Sequence, residues 1–275
     1  PSVAAPTYRS PGRDNIMNDP AAANWIGLWT LYRREVRRFS KVYTQTIMAP
    51  IVTTLLFLSV FSLALGGSAR SVAGIPFPEF LAPGLVIMAI AQNAFANTSS
   101  SIMTAKVQGN IVDTLMPPLT PHELVFGFTM GGISRGIVVG TAVAVMMHLF
   151  VGLKIHAPEF IVFHAIMASM MLALLGTIGG IWSVKFDHIA AVTNFVVTPL
   201  SFLSGTFYSI ERLPELAQKL AAFNPFFYMI DGFRYGFIGS SDTNPVLGLA
   251  VMTGVNALLW TICRQMFKSG YRLKA

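Results

Sequence analysis

The sequence predicts an all-α polytopic membrane protein: six transmembrane helices, an N-terminal amphipathic interfacial helix, and re-entrant outer helices between spans five and six. Three observations carry this prediction. Of 275 residues, 53% are hydrophobic and only 11% are charged, whereas a soluble domain carries about 25% charged residues. Six apolar stretches are long enough to cross a hydrocarbon core, which takes about 20 residues in a helix. The lysines and arginines behind the net charge of +7 flank those stretches and form no basic domain of their own. That pattern anchors a membrane protein at the cytoplasmic surface and offers nothing to nucleic acid.

The elements follow in chain order. Residues 1–20 are polar and rich in Pro, Ser and Asn, without the apolar core of a signal peptide. Residues 1–22 are therefore expected to be a mobile cytoplasmic tail. Over 23–41, Trp25, Leu28, Trp29, Tyr32 and Val36 recur at helical spacing, while Arg33, Arg34, Arg37 and Arg38 crowd the same segment. This predicts a helix lying in the interface, with rings at headgroup level and arginines reaching lipid phosphates. It suits an anchor and a partner dock equally. The six-span domain fills 42–275. Its spans are expected near 42–65, 80–102, 133–151 (the start of this one is ambiguous), 160–184, 189–207 and 246–263. These runs are continuous rather than alternating, which excludes barrel strands. Arg33, Arg34, Arg37, Arg38 and Lys41 precede the first span; Arg264, Lys268, Arg272 and Lys274 follow the last. Both ends are thus expected in the cytoplasm, which needs an even number of spans. Loops 66–79 and 152–159 hold only Arg70 and Lys154, as outer loops should. Four spans is the alternative, with two of the weaker segments re-entrant. Between spans five and six, Leu213, Leu216, Leu220 and Phe223 mark one short amphipathic helix. Phe226, Phe227, Ile230, Phe233 and Phe237 mark a second, broken from the first at Asn224-Pro225.

Little in the chain can do covalent chemistry. No G-x-x-x-x-G-K-[ST] loop, H-E-x-x-H motif or cysteine cluster is present, and Cys263 is the one cysteine. An ATP-driven role would need a motor on another chain. His148, His156 and His164 fall toward the outer ends of spans three and four and read as headgroup contacts, since no carboxylate set accompanies them. The polar residues inside the spans are ordered. Asn93, Asn97, Ser100, Ser101 and Thr104 share a face of the second span; Thr193, Asn194, Thr198, Ser201 and Ser204 do much the same on the fifth. Such faces should meet protein or water rather than lipid. Asn93, Asn97, Ser101, Asn194, Thr198 and Ser201 are therefore candidates for a translocation path or a subunit contact, with glue between helices as the competing reading. Gly127, Gly131, Gly132, Gly136 and Gly140 allow close approach of the third span to its neighbours. Arg135 among them is expected to be interfacial and to snorkel, with the helix entering lipid near Gly132; the alternative, entry near Leu124, puts it on the order of 16 Å deep. The loop 106–124 predicts a short amphipathic helix ending at Pro117-Pro118, followed by a capping box of Thr120 and Glu123.

Two stretches of this sequence resemble the permease subunit of ABC-2 type ABC exporters. One is the loop 106–124, through Asn110, Asp113, Thr114, Leu115 and Pro118. The other is Thr198-Pro-Leu-Ser-Phe-Leu-Ser-Gly-Thr-Phe-Tyr-Ser-Ile210, followed by Leu213-Pro214, Asn224-Pro225 and Gly232-Phe-Arg-Tyr-Gly236. The likeness runs from about Ala23 onward and is strongest to bacterial inner-membrane permeases and nodulation-factor exporters. It implies a homodimer of six-span halves in a bacterial inner membrane, bound to two copies of a separate ATPase that holds the ATP and Mg, with no cofactor in this chain. It implies that Asn110, Asp113, Thr114, Leu115, Pro117 and Pro118 form the loop that couples to the ATPase. It also implies outward movement of a lipid, glycoconjugate or drug-like substrate. The alternatives are a motor-free channel or secondary transporter, and a multi-span lipid-modifying enzyme.

Overall fold

A computed structural model describes residues 24–64, 71–72, 74–208 and 214–273. The expected tail over 1–22 lies outside the described residues, as do Arg70, Leu213 and Lys274. Helix α1 (Trp25–Ser40) turns through Lys41 into α2 (Tyr43–Ala64). Two short antiparallel strands, β1 (Ser71–Val72) and β2 (Ile75–Pro76), pair Ser71 with Pro76 and lead into α3 (Phe77–Val107). A one-and-a-half-turn α4 (Ile111–Leu115) connects to α5 (Pro121–Val151), which is followed by α6 (Pro158–Trp182). The fifth span is α7 (Phe186–Val192), a π-helical turn (Thr193–Val197) and α8 (Thr198–Leu203). Helices α9 (Glu215–Ala222) and α10 (Pro225–Ile238) precede α11 (Pro245–Ser269). Six of these segments are long and apolar enough to cross a membrane.

Helix α3 is the central pillar, buried along most of its length against α5 and α6. Small and polar groups let the helices close in. Thr98 Oγ1 donates to the Ala173 carbonyl at 2.8 Å, and Asn256 Nδ2 to the Met167 carbonyl at 3.1 Å. The glycines of α5 serve three neighbours. Gly127 and Gly131 seat α1, with Leu31 and Glu35 above them; Gly132 and Gly136 seat α3 and α6. A Cβ at Gly131 would stand 2.5 Å from the Glu35 Cβ. Gly131→Val is therefore expected to push α1 off the bundle, at about 1–3 kcal/mol of overpacking. A lowered melting midpoint of the detergent-purified chain checks this.

The third span starts well before 133. Thr120 accepts from the Glu123 amide while Glu123 Oε2 accepts from the Thr120 amide at 2.6 Å, so the capping box launches the helix at Pro121. The fifth span widens at its π turn for a local reason: Pro199 has no N–H to give the Phe195 carbonyl, and its ring crowds that turn. In the segment after it, α9 exposes Leu216 and Leu220. By contrast, α10 is buried among α3, α6 and α11, capped by Asn224 Oδ1 accepting from Phe226 N at 3.1 Å.

The ends of the bundle differ. The Asn24 amide donates to Glu123 at 2.7 Å, Lys106 Nζ donates to the Ile181 carbonyl at 2.7 Å, and Arg272 Nη1 to the Trp182 carbonyl at 2.9 Å. Hence the first and last described helices and α4 gather at one end. The β hairpin, the 152–157 loop and the α10 C-terminus gather at the other, where the His156 amide donates to the Gly236 carbonyl at 2.9 Å.

Candidate functional site

At the α4 end, the chain builds a projecting knob and ties it to the core. Gly109 turns the backbone with a φ of 73°, a left-handed conformation that side chains disfavour. The short helix then buries Ile111 and Thr114 and exposes Val112, Asp113 and Met116, while Pro117 and Pro118 end it. Asn110 is exposed at its start, and Leu115 is half-buried. The apolar residues of this helix and its C-cap are thereby split: Ile111 is buried and Met116 exposed.

The tie is polar and runs through α1. Arg34 Nη1 donates to Thr114 Oγ1 at 2.7 Å, and its Nη2 lies 3.1 Å from Glu35 Oε1. Glu35, with no exposed surface, also accepts from Ser101 Oγ at 2.7 Å and lies 3.4 Å from Arg38 Nη2. Arg38 continues to Asn97 Oδ1 at 2.9 Å and Ser100 Oγ at 2.9 Å. One carboxylate thus joins α4, α1 and α3. Burial pulls the Arg38 guanidinium below its ordinary pKa, and the adjacent Glu35 opposes that. Glu35 is the only acidic residue in a segment of arginines, and that isolation is the one sequence signal for its role. The buried face of α1 is Leu28, Leu31, Glu35 and Phe39. Trp25 and Trp29 of the predicted aromatic stripe are 72% and 62% exposed, so they face away from the bundle.

The six polar span residues separate. Asn97 and Ser101 are buried in the tie to α1. Asn93 and Thr198 come together on a cavity of about 780 Å³ between α2, α3, α5 and α8. Asn194 is exposed on the π turn, and Ser201 is buried, donating to the Val197 carbonyl of its own helix at 2.7 Å. Arg135 corrects the expectation made for it. Because α5 begins at Pro121, Arg135 lies near mid-helix, and it turns inward to Asn93 Oδ1 at 3.2 Å instead of snorkelling to an interface. His164 is likewise no headgroup contact: it is fully buried, its ring packed on Gly232 of α10. His148 and His156 remain exposed. Among the described residues, no group of three His, Cys, Asp or Glu side chains could hold a metal.

Known proteins match this sequence over most of its length. The family model for the ABC-2 type transporter membrane domain matches residues 27–238. The chain is 34% identical over 251 residues to the inner membrane transport permease YadH of Escherichia coli K12, covering 91% of this chain and 98% of that one. It is 23% identical over 230 residues to Nodulation protein J of Rhizobium leguminosarum bv. viciae, covering 83% and 88%. Nodulation protein J of Sinorhizobium fredii is 24% identical over 212 residues, covering 77% and 80%. The family match spans α1 through α10, so it takes in the α4 knob, the tie through Glu35 and the Asn93 cavity alike. The chain belongs to the ABC-2 type transporter family and is a multi-pass membrane subunit of an ABC transporter.

Proposed function

We propose that this chain is the permease half of an ATP-driven exporter of the bacterial inner membrane, working as a homodimer with two ATPase subunits. The α4 end is the cytoplasmic end. There, Asn110, Asp113, Thr114, Leu115, Pro117 and Pro118 form the contact to the ATPase, which supplies ATP and Mg. The observation that carries this reading is the tethered knob: α4 exposes Val112, Asp113 and Met116, and Arg34 fastens its buried Thr114 to Glu35 in the core. A partner pressing on such a knob moves α1 and α3 together rather than flexing a loop. Gathering of both described chain ends at this same end agrees with the arginine distribution, which favours the cytoplasmic side. The largely exposed α2 and fifth span offer the face for a second copy. The cargo leaves outward and is lipid, glycoconjugate or drug-like.

The test is ATP hydrolysis by the partner ATPase reconstituted with this chain. Asp113→Lys or Leu115→Asp is expected to remove the stimulation the permease provides while the protein still inserts. Undiminished stimulation by either inserted variant contradicts the reading.

A further inference from the structure

Arg135 is a cation near the middle of a spanning helix, and among the described residues no anion pairs with it. At 1.5 Å per residue it stands roughly 21 Å from the start of α5 and roughly 24 Å from its end. Its partner Asn93 is equally central in α3. Among the described residues, both ion pairs belong to Glu35, which Arg34 and Arg38 already share. Arg135 has the Asn93 oxygen at 3.2 Å, while its Nε is buried without a partner. A charge at such depth is costly unless paired, and those that occur face a cavity or the bundle interior.

The cavity beside it has the matching character. Gln45, Gln92, Asn93 and Thr198 give it polar lining, and Phe57, Met88 and Phe202 give it apolar lining. Helices α2 and α8 flank it without packing closely on one another. Ser100, also in the wall, is held by Arg38, so a second guanidinium stands close by. Arg135 lines this cavity, and a guanidinium offers a planar set of donors to an oxyanion. A small anion alone would leave the aromatic wall unfilled, and a neutral lipid would leave Arg135 unpaired.

The geometry points to a binding site for an anionic amphiphile: Arg135 holds its phosphate or carboxylate, and the wall around Phe57 and Phe202 holds its chain. That the occupant is cargo rests on the exporter reading; that it binds does not.

The experiment measures binding of radiolabelled oleoyl lysophosphatidate to the purified full chain in dodecyl maltoside. Monoolein serves as the neutral control and inorganic phosphate as the headgroup alone. Arg135→Gln is expected to weaken lysophosphatidate binding by about tenfold or more, the scale of one charge-assisted contact, and Arg135→Lys to recover part of it. Asn93→Asp supplies the missing counter-ion from within. It is expected to lose binding to a similar degree while melting no lower than the wild type, which separates lost binding from lost fold. Equal lysophosphatidate binding by wild type and folded Arg135→Gln overturns the site. So does monoolein or phosphate binding as tightly as lysophosphatidate. Binding by the chain alone involves no motor, so a site that binds without stimulating the partner ATPase sinks the cargo role and leaves the site standing.

Discussion

Glu35→Ala is expected to destabilise the folded chain by about 3–5 kcal/mol, the range for removing one partner of a buried ion pair. The size follows from what is left behind. Glu35 is completely buried and accepts from Ser101 while facing Arg34 and Arg38. Without it, Arg38 keeps Asn97 and Ser100 but loses the carboxylate that faces it, in a place where burial already disfavours its charge. Arg34 is partly exposed, so its share of the loss is screened. The measurement is equilibrium unfolding of the detergent-purified protein, or its melting midpoint. Glu35→Gln should fall between alanine and wild type, since the amide can still accept from Ser101. Adding Arg38→Met to Glu35→Ala should recover part of the loss, because it removes the stranded cation. An unchanged midpoint for Glu35→Ala contradicts the assigned tie.

Asp113→Lys should act differently, with a large loss of coupling and little loss of fold. Asp113 is exposed on α4, so its replacement disturbs no buried contact. Reversing a charge at the proposed ATPase interface replaces attraction with repulsion, and like charges brought together there cost several kcal/mol. Stimulated ATP hydrolysis should therefore fall by about two orders of magnitude, since each 1.4 kcal/mol is a factor of ten. Insertion and melting midpoint should stay near wild type. Contrasting the two variants separates the knob's surface from its root: Glu35→Ala loosens the fold, and Asp113→Lys spares it.

The spans were legible because hydropathy acts over windows of twenty residues and needs no knowledge of neighbours. All six appear, as do the break at Asn224-Pro225 and the Thr120–Glu123 capping box, which is written in four consecutive residues. What escaped depends on which face meets which. The start of the third span was hidden because Pro121, His122 and Glu123, followed by glycines, dilute the hydropathy of a helix that a cap and tertiary contacts define. The polar face of α3 looked like one surface, yet α1 covers Asn97 and Ser101 and leaves Asn93 to the cavity. Nothing within α3 itself encodes that division. The aromatic stripe of α1 was visible, while its buried stripe runs through Glu35, a position that hydrophobicity alone assigns to the outside. The depth of Arg135 depends on the helix start at Pro121, and its inward turn follows from Asn93, 42 positions away in the chain.

For a separate motor to drive this permease, the α4 knob must lie on the ATP-containing side and touch that motor. Its most direct test is a single cysteine at Met116, an exposed position on that knob, in a chain whose native Cys263 is fully buried. With Met116→Cys in intact cells, an impermeant maleimide should fail to label the chain. In inside-out vesicles it should label fully, and a bifunctional reagent should join the cysteine to the ATPase subunit. Labelling in intact cells, with none in inside-out vesicles, would put the knob on the outer face, where no motor could reach it.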